Sequence, residues 1–416
     1  MKTLRYILTV FAFAAIVACG KSPDAEPSGQ NDDNNTSPPV LVSEITLNQK
    51  EATLFKEGTI SLTATIAPEN ADNKEIYWNS SAPNIASVNN KGEVTAHSEG
   101  ETIITALTAD QSKYATCKIT VRGLYSILFI GNSYTQEGIE THFLNLLHQT
   151  DVRNKVRITW MHKFGLTIKG HNTTYATDKS YNRHRYAPGS SDWTRDNGEA
   201  CLQDVLKGTE FDLIVLQENP VSQEGWEWNS TRKSEVEELI NKIKSDQKGQ
   251  PKFACIMGQA YADPNKVPAG YNTNAKNILT NSFGGKQINM YHAIIGHTQG
   301  MIAAIPFEFV IPWGTTLQNL RTSSLNSTHK MDMTTNGVFA DLGVGRYAAA
   351  CTVFESIFTP VFGINLDGVT YTDNTSLSQD TGNSKYKTAI TSQSAAIGLN
   401  AARLAIKKPY EISVID

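Results

Sequence analysis

Ile127, Leu128, Phe129 and Ile130 form an uninterrupted apolar run with no polar face. A strand of that kind must be covered on both sides, as happens in a sheet sandwiched between helices. Comparable runs recur at 156–160, 211–216, 253–257 and 307–313. Helical patterns separate them. Ile139, Phe143, Leu146 and Leu147 make one stripe after the first run, and further helices are predicted over 198–207, 234–245 and 287–304. Alternating strands and helices predict a three-layer α/β/α domain around a parallel, doubly wound sheet. Ligand sites in such sheets lie beyond the carboxyl ends of the strands. Val344, Tyr347, Ala348, Cys351 and Phe358 form another helical stripe, and a last helix reaches Lys407 and Lys408 before Pro409 stops it.

Residues 42–122 follow a different rule. Ile60, Leu62, Ala64 and Ile66 alternate with other residues at period two, as do Ile103, Thr105 and Leu107, and turn residues at 68–70 and 89–92 separate the runs. Short alternating strands at this spacing predict a β-sandwich. The segment resembles the group 2 bacterial Ig-like family through Trp78, Asn79, Ser80 and Ser81, then Ala86, Ser87 and Val88, then Gly92, Glu93, Val94, Ala96, Gly100 and Ile103. The resemblance implies a stalk or adhesion module, with Trp78 as core packing and no chemistry.

At the start of the chain, Lys2 and Arg5 precede an apolar run over 6–18 that is too short to span a bilayer, the layout of a secretory signal. It ends in Ile16, Val17, Ala18, Cys19 and Gly20, which resembles a bacterial lipobox. That resemblance implies cleavage before Cys19 and lipidation of this cysteine, so residues 1–18 are expected to be a lipoprotein signal peptide. Residues 19–41 are expected to be a tether rich in Ser, Pro, Asn and Asp. Gly20 does not resemble an inner-membrane retention signal. The expected location is the outer membrane, periplasmic or surface-exposed, with the membrane as partner through Cys19. The net charge of -4 lacks the basic excess of a nucleic-acid binder. Cys117, Cys201, Cys255 and Cys351 show no metal or disulfide spacing, and neither a cofactor nor a metal is expected.

The loop after the first strand of the α/β segment, residues 123–416, reads Gly131, Asn132, Ser133, Tyr134 and Thr135. A serine at a strand end suits a nucleophile, and it equally suits a helix N-cap. The segment resembles SGNH hydrolases, and within them an uncharacterised family of SGNH-like domains on bacterial lipoproteins, over essentially 124–415. The resemblance implies a flavodoxin-like fold with Ser133 as nucleophile. Gly165, in Gly165-Leu166-Thr167, would offer a backbone N–H to the oxyanion. His171 just beyond it is either a substrate contact or a loop histidine held by hydrogen bonds. Leu216, Gln217, Glu218 and Asn219 stand where the wider superfamily has Gly-x-Asn-Asp, so either Gln217 or Asn219 supplies an oxyanion amide.

The last expected block departs from that pattern. Where Asp-Gly-x-His is wanted, this chain reads Asn336, Gly337, Val338 and Phe339, although Gly345, Arg346 and Tyr347 follow as in the family. Phe339 cannot exchange a proton and Asn336 is no carboxylate, so acid and base are both replaced. Losing a triad member removes several orders of magnitude in rate. His329 is read as sitting in an exposed polar loop, and His292 and His297 as solvent or core residues. Tyr181, Tyr186, Trp193, Trp226 and Trp228 suit either sugar stacking or burial in long loops. Two functions follow: an SGNH-type serine esterase acting on acetylated glycans, or a catalytically inactive relative that binds a glycan or a surface partner.

Overall fold

The computed structural model describes residues 38–140, 142–196, 198–218, 227–267, 271–374 and 386–415. The signal segment, Cys19, Asn219 and Trp226 lie outside them.

The first part is a β-sandwich. Its strands are β1 (Glu44–Leu47), β2 (Glu51–Phe55), β3 (Thr59–Ser61), β4 (Ala64–Ala67), β5 (Ile76–Ser80), β6 (Ala86–Val88), β7 (Glu93–Ala96), β8 (Gly100–Thr108) and β9 (Tyr114–Arg122). They form sheets in the orders β2-β9-β8-β5, β3-β7-β6 and β1-β4. Leu54, Leu62, Val94, Ile104, Ile119 and Val121 are buried together between the sheets, with Trp78 half-buried against them. On β8 the alternation runs one residue out of step with the sequence reading: Thr102, Ile104, Ala106 and Thr108 face the core, while Ile103, Thr105 and Leu107 face away and Ile103 is 48% exposed.

The second part alternates helices and strands: β10 (Tyr125–Gly131), α1 (Ser133–Ile139), α2 (His142–His148), β11 (Val156–His162), α3 (Ile168–Thr174), β12 (Asn182–Tyr186), β13 (Thr194–Arg195), α4 (Leu202–Gly208), β14 (Leu213–Gln217) and α5 (Ser230–Asp246). It continues through β15 (Lys252–Ile256), α6 (Thr273–Phe283), α7 (Gln287–Ala304), β16 (Phe309–Ile311), α8 (Trp313–Thr322), α9 (Ser324–Thr328), α10 (Val344–Phe362) and α11 (Ser392–Lys407). The sheet order is β13-β12-β11-β10-β14-β15-β16. The five strands β11, β10, β14, β15 and β16 are parallel, while β12 and β13 add an antiparallel edge. In chain order the parallel strands stand 2-1-3-4-5, the flavodoxin-like arrangement.

Every residue of β10 is buried, as its unbroken apolar run requires. Phe129, Ile127 and Trp160 pack with Phe143 of α2 and Phe354 and Phe358 of α10 on one face. On the other, Leu128 and Ile130 pack with Leu206 of α4 and Leu239 and Ile243 of α5.

Two expectations shift. The strand predicted over 307–313 ends at Ile311, because Pro312 has no N–H for the ladder and instead caps α8. The edge strand β12 reads Asn182, Arg183, His184, Arg185 and Tyr186, polar enough to hide from an apolar pattern.

The two parts are in contact. Phe55 of β2 sets its ring 5.1 Å from Tyr125 and 5.3 Å from Phe362, both edge-on. Arg122 of β9 pairs with Asp212 at 2.5 Å and with Glu210 at 3.4 Å. Tyr125 opens β10 and Gly131 closes it. The sandwich therefore docks at the amino ends of the strands, and the carboxyl ends lie about 20 Å away along β10.

Candidate functional site

Three of the sequence blocks converge at the carboxyl ends of β10, β11 and β14, where Gly131 is in register with His162. Gly131 has to be glycine. A Cβ there would sit 2.0 Å from Thr135 Oγ1 and 3.0 Å from Gln217 Cβ.

Asn132 does the joining. Its Oδ1 caps α1 by accepting the Tyr134 N–H at 3.0 Å, and its Nδ2 donates to Leu166 O at 3.1 Å, tying the Ser133 loop to the Gly165 loop. Its own N–H donates to Gln217 Oε1 at 3.2 Å, and Thr135 Oγ1 donates to the same oxygen at 3.2 Å. Gln217 gives one amide hydrogen to Glu218 O at 2.7 Å. In this geometry Gln217 works as the clamp that holds the serine loop against β14.

Ser133 is half-buried, and its hydroxyl makes no hydrogen bond among the described residues. Gly165 has a φ of +68°, and a Cβ built on it meets nothing within 4 Å. Its N–H has no acceptor among the described residues, and the next residue, Leu166, is tied to the serine loop through Asn132.

The degenerate block also comes to this place. Phe339 lays its ring 5.6 Å from that of Tyr134, the residue after Ser133. Asn336 turns inward on its own loop, where Oδ1 accepts the N–H groups of Val338 at 3.1 Å and Phe339 at 3.3 Å. Position 339 therefore lies against the serine loop, but it carries an apolar ring.

His171 is elsewhere. It is 1% exposed, with Nδ1 hydrogen-bonded to the Tyr181 hydroxyl at 2.7 Å, and burial pushes its pKa down to about 3. His329 corrects an expectation: its ring is buried against Tyr386 rather than exposed. Its Nδ1 accepts the Met331 and Met333 N–H groups, each at 3.1 Å, and Nε2 lies 3.6 Å from Asp341. His292 is exposed and His297 is buried on α7. Among the aromatics left open by the sequence, Tyr181, Tyr186 and Trp193 are buried. Trp228 packs half-buried beside the core on the α5 face.

Sequence reasoning missed two groups. His162 ends β11 across from Gly131 and stacks on Trp160 at 4.2 Å; burial, and then His184, lower its pKa to about 4. Glu137, one turn after Ser133, is 2% exposed. Its Oε2 accepts from the Ala340 N–H at 2.9 Å and from Gln259 Nε2 at 3.2 Å, while Oε1 has no partner. Gln259 is itself fixed by the Trp313 indole N–H at 2.7 Å and by donating to Val338 O at 2.8 Å. Burial raises the Glu137 pKa to about 8, with Arg346 opposing the shift. The i,i+4 spacing from Ser133 was the available signal.

The described residues contain no group of three or more His, Cys, Asp or Glu side chains placed to hold a metal ion. None of their helices is long and apolar enough to cross a membrane.

Comparison with known proteins matches residues 41–119 to the bacterial Ig-like domain (group 2) and residues 126–390 to a domain of unknown function, DUF4886. An uncharacterized protein of Clostridium acetobutylicum is 40% identical over 93 residues, 22% of this chain and 9% of its own. The chain spans less than half the length of the curated relatives it matches. A crystal structure of a DUF4886 family protein from Bacteroides uniformis ATCC 8492 superposes with a TM-score of 0.53 at 21% identity, over 70% of this chain and 98% of that one. An acetyl xylan esterase gives a TM-score of 0.35 at 12% identity, over 56% of this chain and 99% of that one. With the family model covering 126–390 of its 416 residues, the chain belongs to the DUF4886 family and carries a group 2 bacterial Ig-like domain ahead of it.

Proposed function

We propose that this chain is a lipid-anchored envelope protein whose α/β domain is an SGNH-type esterase fold used to bind acylated glycans at Ser133, without hydrolysing them at neutral pH. One observation carries the reading. The chain has nine histidines, all among the described residues, and none is hydrogen-bonded to Ser133, while Phe339 stands beside Tyr134 where the resemblance calls for the imidazole. A serine hydroxyl without an adjacent base is a poor nucleophile.

Other features support a binding role. Neither the Ser133 hydroxyl nor the Gly165 N–H is engaged in a hydrogen bond among the described residues, so both are free to serve as donors to an ester carbonyl. Phe164, next to Gly165, is 65% exposed, and its ring is backed edge-on by His162 at 5.5 Å. An exposed, supported aromatic ring beside polar donors suits the apolar face of a sugar. The Ig-like module sits at the opposite ends of the strands, so a tether attached to it leaves the Ser133 end free.

The reading is tested by calorimetry at pH 7 with an acetylated xylo-oligosaccharide and its deacetylated form, alongside an acetyl-ester hydrolysis assay. The expected result is acetyl-dependent binding at pH 7, with the oligosaccharide recovered still acetylated after the titration. Loss of its acetyl groups during the titration, prevented by Ser133→Ala, sinks the binding-only reading.

A further inference from the structure

We infer that Glu137 is a residual general base for Ser133, giving the domain a slow, Ser133-dependent ester-hydrolysing activity. The inference rests on the reading that an acyl ester reaches Ser133, and goes beyond it by assigning a proton acceptor.

Ser133 and Glu137 are four residues apart on α1. In an α-helix that spacing puts both on one face, with each Cα–Cβ bond tilted toward the helix start, which here is Ser133. The loop bearing Phe339 closes over this face through the Ala340 N–H to Glu137 Oε2 bond. Both donors to the carboxyl, Ala340 and Gln259, use Oε2, and Oε1 is left buried without a partner. A buried, unpaired carboxyl oxygen needs a polar neighbour, and one water bridging Oε1 to the Ser133 hydroxyl would supply it. General bases work through one water as well as directly.

The charged and titratable surroundings decide when this oxygen can accept a proton. Arg346 faces Glu137 from α10 and favours its ionised form. Tyr134 on α1 is half-buried and paired with Tyr261, and burial keeps both phenols protonated. Asp341, next to Ala340, is held by the N–H groups of Gly343, Gly345 and Thr388. His142 on α2 is committed to Leu342 O and Tyr371. Burial outweighs Arg346, so the carboxyl is mostly protonated at pH 7 and ionises around pH 8.

In the step itself, the Ser133 proton passes through the water to the Glu137 carboxylate. The Oγ–C bond forms as the carbonyl electron pair moves onto oxygen, facing the Gly165 N–H. Collapse breaks the ester C–O bond, and the leaving alkoxide takes the proton back from Glu137. Water then repeats the sequence on the acyl-serine and releases the carboxylic acid.

The test measures 4-nitrophenyl acetate hydrolysis from pH 6.5 to 10, with Ser133→Ala as the blank at every pH. The Ser133-dependent rate should rise about tenfold between pH 7 and pH 9 and then level off, as one group ionising near pH 8 requires. Glu137→Gln, which keeps an oxygen for the Ala340 and Gln259 donors, should fold normally and lose the rise. A rate that climbs without a plateau is hydroxide acting alone and overturns the inference, as does a flat rate or a rise retained in Glu137→Gln. If Glu137→Gln does not fold, wild-type labelling by a fluorophosphonate probe across the same range decides. A sigmoid near pH 8 supports the inference and a flat rate overturns it. Binding measured at pH 7 is unaffected by that failure, and neutral turnover lost in Glu137→Gln would sink only the binding-only reading.

Discussion

The Phe339 ring lies 5.6 Å from the ring of Tyr134, tilted by 45°, so the residue at position 339 reaches the very loop that carries Ser133. A histidine there would meet the nucleophile without any change of fold, provided that a carboxylate at 336 orients it. The double variant Asn336→Asp, Phe339→His should therefore gain Ser133-dependent acetyl-ester hydrolysis at pH 7 by roughly 10²-fold or more over wild type. Hydrolysis assays of the double variant, with and without Ser133→Ala, check this, and no gain would show that the scaffold no longer presents position 339 to the serine.

Gln217 holds the serine loop by accepting from Asn132 N–H and Thr135 Oγ1. Replacing it with Ala leaves a buried backbone N–H unpaired, which costs about 1–3 kcal/mol. Urea unfolding of Gln217→Ala should show that loss. A stability equal to wild type would mean that the clamp is dispensable.

Phe164 is the exposed ring at the proposed sugar face. Phe164→Ala removes no core packing, so the melting temperature should hold while affinity for an acetylated oligosaccharide weakens by roughly fivefold, about 1 kcal/mol. Calorimetry at pH 7 reads both. Unchanged affinity would move the sugar elsewhere.

Buried His171 and His162 have pKa values pushed down to about 3 and about 4 by desolvation, against an ordinary value of 6.5. Between those values the unfolded chain binds protons that the folded chain refuses. Stability therefore falls as pH drops below 6.5, with a limiting slope of roughly 1.4 kcal/mol per pH unit for each histidine. Glu137 acts in the opposite direction. Folded, it keeps its proton up to about pH 8 from an ordinary 4.5, so it lowers stability as pH rises through that window. Urea midpoints from pH 4 to 9 should show a maximum between, with His162→Phe flattening the acid limb and Glu137→Gln the alkaline one.

At the junction, Phe55 packs edge-on to Tyr125 and Phe362 beside the Arg122–Asp212 pair. Phe55→Ala should uncouple the modules, splitting one thermal transition into two by calorimetry. A single unaltered transition would show that the contact does not couple them.

Much of this arrangement was legible in the chain itself. Period-two alternation over 42–122 and unbroken apolar runs from Ile127 onward report whether one face or both faces of a strand are buried, and those are local properties. Hence the sandwich, the parallel sheet and the placing of Ser133 at a strand end followed from the residues, while Gly165 came only through the family resemblance. What only the tertiary structure decided are pairings between distant segments. Glu137 meets Ala340 across 203 residues, and Gln217 meets Asn132 across 85. His329, in a polar stretch that reads as exposed, is buried because Tyr386 and Asp341 fold onto it. His171 turns inward because Tyr181, on the following loop, accepts or donates the bond that solvent would otherwise make. Local pattern encodes which faces are apolar. Which polar atom finds which partner depends on how the chain closes, and that determines whether Ser133 has a base.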